Sequence, residues 1–136
     1  MDAVTRNLVR TRAANCCEYC RLPQSAAPFL RFHIEHVQAQ QHIADDSPEN
    51  LALACPDCNR HKGPNLVTLD PVSRDVVRLF HPRQDRWQDR WQDHFEFRGA
   101  ILLGRTVIGE STIRLLQMNT VDRVEMRAEL KMAGEM

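Results

Sequence analysis

Residues 50–63 read NLALACPDCNRHKG, from Asn50 to Gly63. A short apolar run leads into a Cys-x-x-Cys pair, with an asparagine before it and an asparagine, a histidine and a lysine directly after. Two residues between cysteines let both sulfurs face one ion from a tight turn. A second pair upstream, Cys17-Glu-Tyr-Cys20, supplies the other two thiolates of a tetrahedral zinc shell with Cys55 and Cys58. Cys16 breaks the spacing and is left as a spare. A small core gains from such a site, because metal binding becomes folding free energy. The rival reading, a thioredoxin-like redox site, needs one pair at the start of a helix after a parallel strand, and two pairs fit it poorly.

Composition narrows the classes around this site. The chain has 136 residues, 43% of them hydrophobic, and a net charge of zero, so no global field draws it to nucleic acid. Arginine nevertheless outnumbers lysine, 16 to 2. Arginine forks suit phosphate oxygens, although exposed ion pairs account for most such residues. No apolar run is long enough to span a membrane. The start, MDAVTRNLVRTRAAN, lacks the apolar core of a secretion signal, so the expectation is a cytoplasmic protein. Reduced thiols there bind metal rather than form disulfides.

Periodicity predicts an amphipathic helix over residues 3–14, a tight turn from Cys16 to Pro23 and a strand from Phe29 to Val37. Residues 38–49 are polar, and a helix is expected from Cys58, closed by Gly63-Pro64. Asp75–Phe80 reads as a strand. RQDRWQDRWQDHF carries QDRW twice and places Trp87, Trp91 and Phe95 four apart, a packing stripe if helical. Two strands, Glu96–Phe97 and Ala100–Ile108, flank Gly99. A short helix is expected over Thr112–Met118, and a last one over Val121–Met132 with Val121, Val124 and Ala128 on one face. No linker interrupts the chain, so one domain is expected over residues 1–136, with a core at about 10–65 and an extension at about 66–136.

The gap between the cysteine pairs points beyond a plain zinc module. Thirty-four residues separate Cys20 from Cys55, more than a simple zinc ribbon uses, and they contain His33-Ile-Glu35-His36-Val. CEYC, HIEHV and NLALACPDCNRHKG, in that order and spacing, resemble the HNH endonuclease family, the ββα-metal or His-Me finger nucleases. The resemblance covers about residues 10–65. GPNLVTLDP, RLFHPR, DRW and HF also look like a bacterial group of small stand-alone HNH proteins. In the family the loop after the acidic-His strand often carries Gly-Gly where this chain has His42-Ile-Ala44-Asp, and related proteins carry QDRW once rather than twice.

The resemblance implies an α+β fold: a ββα-metal, treble-clef-like core stapled by the four-cysteine zinc site, with an N-terminal helix and a C-terminal strand and helix extension. It implies hydrolysis of DNA phosphodiester bonds, with RNA left open, yielding 5′-phosphate and 3′-hydroxyl ends. His36 takes the place of the general base. Glu35, where most members have Asp, takes that of a ligand to a catalytic Mg²⁺ or Mn²⁺. Asn50 is the middle residue that orients the base, and Asn59 the third position and second metal ligand. His61 is the alternative ligand, but it lies about 200° round a helix from Asn59. Arg60 and Lys62 are expected to contact nucleic acid, and His33 to be structural. A monomer with one site nicks; a homodimer would cut both strands. The alternative function is a non-catalytic zinc-stabilised module that binds nucleic acid or protein.

Overall fold

The computed structural model describes residues 1–136 as an α+β protein with three separate antiparallel hairpins. Helix α1 (Ala3–Arg12) starts at Asp2, whose carboxylate accepts from the Thr5 N–H at 2.8 Å, and buries Val9 against the core. The chain then turns through Cys17–Cys20, with Cys16 bridged to Pro23. Strand β1 (His33–His36) pairs with β2 (Leu51–Ala54), and β2 runs directly into α2 (Pro56–Lys62). These three elements form a ββα unit.

Register sets the two faces of this hairpin. His33 lies opposite Ala54 and Glu35 opposite Ala52, while Ile34 faces Leu53 and His36 faces Leu51. Directly opposed residues share a face. Ile34 and His36 therefore lie with the fully buried Leu51 and Leu53, and Glu35 lies with two alanines small enough to admit larger neighbours.

The extension adds β3 (Val67–Leu69) with β4 (Val76–Arg78), a one-turn helix α3 (Trp87–Arg90), and β5 (Phe95–Arg98) with β6 (Ile101–Gly104) around Gly99. Helices α4 (Val107–Leu115) and α5 (Val121–Met132) complete the chain. One hydrophobic cluster joins the two halves: Val9, Tyr19, Leu51 and Leu53 pack with Phe80, Trp91, Phe95 and Leu116. Trp91 stacks on Phe95 at 4.9 Å and donates its indole N–H to Tyr19 O at 2.9 Å.

The structure corrects several sequence expectations. The first strand is His33–His36 rather than Phe29–Val37, because its partner has only four residues before Cys55. Upstream, the Phe32 N–H is satisfied by Gln24 Oε1 instead of a strand, and Phe29 is 97% exposed. Helix α2 starts at Pro56, not Cys58: proline is pre-shaped for a first helical turn, and Cys55 Sγ caps it by accepting from Cys58 N. Trp87, Trp91 and Phe95 are all buried, yet they lie on α3, a 3₁₀ turn and β5 rather than one helix. The strand expected to reach Ile108 stops at Gly104. Thr106 caps α4 by accepting from Gly109 N, and this outweighs the β-branched Val107 and Ile108. Helix α5 has the predicted extent but a different inner face. Val121 is 71% exposed, and Arg127 and Leu130 point inward.

Gly109 shows how closely α4 is seated. A Cβ there would stand 2.0 Å from the His94 carbonyl oxygen, a backbone atom that cannot move aside. Gly109→Ala is expected to destabilise the fold by about 1–3 kcal/mol through overpacking, read as a lower urea midpoint at unchanged m-value.

Candidate active site and metal centre

Four sulfurs converge where the first turn meets the start of α2. The Sγ atoms of Cys17, Cys20, Cys55 and Cys58 all lie within 4.8 Å of one another, and all four residues are buried. Cys20 and Cys55 sulfurs are 3.8 Å apart. That is far beyond a disulfide bond. It matches the edge of a tetrahedron with metal–sulfur bonds of about 2.3 Å, whose corners stand about 3.8 Å apart. Burial pushes the Cys17 and Cys58 thiols well above the ordinary thiol range, while hydrogen bonds from Cys17, Cys55 and Cys58 hold Cys20 well below it. The donor set and its closed geometry fit structural zinc.

Arg123, from α5, completes this centre. Its Nη2 donates to Cys58 Sγ at 3.0 Å and lies 3.8 Å from Cys55 Sγ. Its Nη1 donates to the carbonyls of Leu116 and Gln117 at 2.8 and 3.1 Å. Burial works against the guanidinium charge, but the sulfurs of Cys58, Cys20 and Cys55 outweigh it and raise the Arg123 pKa. The cysteine spacing gave no sign of this residue, because it lies 65 positions beyond Cys58.

At the loop end of the hairpin, Asn50 is buried and its amide makes three hydrogen bonds. Oδ1 accepts from Gln38 N at 2.8 Å, and Nδ2 donates to Gln38 O at 3.1 Å and Asp45 O at 2.9 Å. Asn50 O also accepts from Val37 N at 2.8 Å. The loop leaving His36 is thus clamped at residues 37, 38 and 45. His36 stands at the end of β1 with Nε2 2.7 Å from Asp46 Oδ1 and 3.4 Å from Gln40 Nε2. The hydrogen bond from His36 holds the Asp46 carboxyl below its usual range. Asp46 sits in the turn ADDSPEN, where sequence shows a turn former and nothing more.

Glu35 faces the opposite side from His36 and is buried. Oε1 accepts from the Tyr19 hydroxyl, and Oε2 is 3.8 Å from Lys62 Nζ. Burial raises the Glu35 pKa, with Lys62 and the Tyr19 hydrogen bond pulling it back. Lys62 is only 1% exposed and donates to Val37 O at 3.0 Å. The expectation that Lys62 meets nucleic acid does not survive this placement: the last turn of α2 points its ammonium into the hairpin, where Glu35 needs a counter-charge. Asn59 lies one turn before Lys62 on α2 and is half-buried. His61 points elsewhere, with Nε2 3.4 Å from Arg60 Nη2, and exposed Arg60 also reaches Asp57 at 3.2 Å. His33 is exposed on β1.

A carboxylate and an amide oxygen are the donors a hard divalent cation takes. Here the Glu35 carboxylate already faces the ammonium of Lys62. A cleft of about 300 Å³ is lined by Gln38, Asp45, Glu49, Asn50, His81 and Arg83 among others. His81 Nδ1 accepts from Arg83 N and Gln84 N, each at 3.2 Å, and burial lowers its pKa, so the ring stays neutral with its proton on Nε2. The RLFHPR stretch therefore borders the clamp, a position the sequence could not assign. His94 bonds Thr106 Oγ1 at 2.7 Å and is structural.

A ββα unit stapled by four cysteines carries a histidine at the end of its first strand. Residues 17–65, from the first zinc cysteine to just past α2, match the model of the HNH endonuclease family. The match covers both cysteine pairs, the HIEH strand and α2, and leaves the extension outside. Comparison with curated proteins and with solved structures gives no match. No helix is long and apolar enough to cross a membrane.

Arg123→Gln is expected to speed zinc loss to a chelator by roughly 10-fold or more, as removal of a residue supporting metal ligands does. A chromogenic zinc indicator reads this directly, and an unchanged rate would show that α5 does not support the centre.

Proposed function

We propose that the protein is a metal-dependent endonuclease that hydrolyses DNA phosphodiester bonds with His36 as general base. The supporting observation is His36 itself, fixed at a strand end by Asp46 on one nitrogen and by a loop that Asn50 clamps. With Nε2–H donated to Asp46, Nδ1 keeps its lone pair and accepts the proton of the attacking water. Asp46 orients the ring and stabilises the imidazolium as it forms, and Asn50 keeps the loop behind His36 from shifting. Glu35 and Asn59 would hold a Mg²⁺ or Mn²⁺, which would supply positive charge to the scissile phosphate. Arg60, exposed on α2, is the residue placed to meet the neighbouring phosphate. One such site cuts one strand, so a monomer nicks and a homodimer cuts both. The proposed setting is the cytoplasm, where thiols stay reduced and available to zinc.

One observation favours the second reading, a zinc-stabilised binding module. Glu35 already has a counter-ion in Lys62 and a hydrogen-bond donor in Tyr19. Relaxation of supercoiled plasmid with Mg²⁺ or Mn²⁺, with and without chelator, separates the two. Metal-dependent nicking by wild type, lowered by about 10²-fold or more in His36→Ala at unchanged zinc content, is expected. Binding without nicking supports the module.

The third catalytic position has a paired test. Asn59→Ala is expected to lose nicking that His61→Ala largely keeps. The opposite result would give the metal to His61.

A further inference from the structure

Buried polar hydrogens are nearly always paired in folded proteins. Three of the unpaired ones here, on Arg12 Nε, Arg21 Nε and Trp87 Nε1, belong to residues that border a single cavity. It has a volume of about 480 Å³ and lies between the first cysteine turn and the QDRW repeat, within the range of small-molecule sites. Phe97 adds a second aromatic wall. The Arg21 guanidinium sits over the Trp91 ring, 4.3 Å from its centroid, and 5.7 Å from that of Trp87. The two tryptophans of the repeat thus have separate jobs. Trp87 lines the space, and Trp91 supports the cation at its edge.

The backbone around this cavity is strained. Arg21 has φ +66°, Ala14 has φ +51°, and Arg86, directly before Trp87, has φ +56°. Such left-handed positions suit glycine, and side chains held there concentrate at ligand sites. At Arg21, directly after Cys20, a glycine would make the turn without strain. The arginine is kept for what its side chain reaches.

We propose that this cavity binds one nucleotide unit of a single-stranded nucleic acid, its base against Trp87 and Phe97 and its phosphate on Arg21. Arginine forks match phosphate oxygens and aromatic faces take bases of any sequence. Glu135 at the rim repels a bare phosphate, so the base and the phosphate are both required. The choice of a nucleotide rests on the nuclease reading; the site's existence does not.

The test uses His36→Ala protein in chelator, so that binding is read without cleavage. A nucleoside 5′-monophosphate is titrated against tryptophan fluorescence and followed by calorimetry. Saturable binding is expected, weaker by about 10-fold or more for the nucleoside alone and for inorganic phosphate alone. Arg21→Gly should weaken nucleotide binding by a similar factor while the melting temperature holds or rises, because the left-handed strain is relieved. Trp87→Leu, which keeps bulk but removes the aromatic face lining the cavity, should weaken binding while the protein stays folded. No saturable binding, or binding unchanged in both variants, overturns the proposal. So does a lower melting temperature in Arg21→Gly with binding intact, which would make Arg21 a packing residue. Nucleotide binding by a protein whose wild type never nicks would leave this site standing and remove the nuclease reading.

Discussion

Four sulfurs brought together from positions up to 41 residues apart fix nearly every other relationship in the molecule. Cys55 ends β2 and caps α2, so a single sulfur joins the metal, the strand and the helix. Only four residues of β2 precede it, which ties the hairpin register to the metal. The Cys17–Cys20 turn carries Glu18 and Tyr19 onto that hairpin: Glu18 N donates to Leu53 O at 2.9 Å, and Leu53 N returns a bond to Glu18 Oε2 at 2.7 Å. A divalent cation with four thiolates is left with net negative charge, and burial makes that costly without a partner. Arg123 is the partner. Zinc chemistry in the first half of the chain thus sets where the last helix lies.

The same logic governs the buried carboxylates. Glu18 is fully buried and pairs with Arg83, 65 residues away, while Glu35 pairs with Lys62. Removing one member of such a pair is far worse than lacking both, because the other charge stays unpaired. Glu18 lies in the HNH-matched segment and Arg83 outside it, and the Trp91 indole bonds Tyr19 O across the same divide. The extension therefore completes the interior of the family segment and neutralises it.

How much was legible follows from distance along the chain. The zinc set was readable because its spacing is local within each pair. The HIEH strand and the place of Asn50 before the second pair were readable through resemblance, in fixed order around those pairs. Helix α5 was readable in extent from its period, but not in direction: Val121 and Val124 look like an inner face until Arg123 and Arg127 find sulfurs and carbonyls to bond. Lys62 reads as a surface lysine in any sequence, and only the packing of α2 on β1 shows it turned inward. Asp46 becomes visible when Asn50 closes the loop that brings it to His36. The misses are contacts between distant residues whose types carry no signal of their own.

The excess of arginine over lysine has a structural explanation that bears on nucleic-acid binding. Several arginines act as internal hydrogen-bond hubs. Arg12 reaches the carbonyls of Pro48 and Leu51, Arg123 those of Leu116 and Gln117, and Arg127 those of Ala100 and Met118. A guanidinium has five donors in a fixed fork and can satisfy two carbonyls while remaining charged, which an ammonium on a flexible stem does less well. A chain with three short hairpins and many loop carbonyls needs such residues, and a neutral total charge is compatible with that use. Most of the arginines nevertheless stay exposed, and Arg60, Arg78, Arg86 and Arg90 among them pair with nearby aspartates. Arg21 differs from these: it is half-buried, and a left-handed turn holds its guanidinium over Trp91.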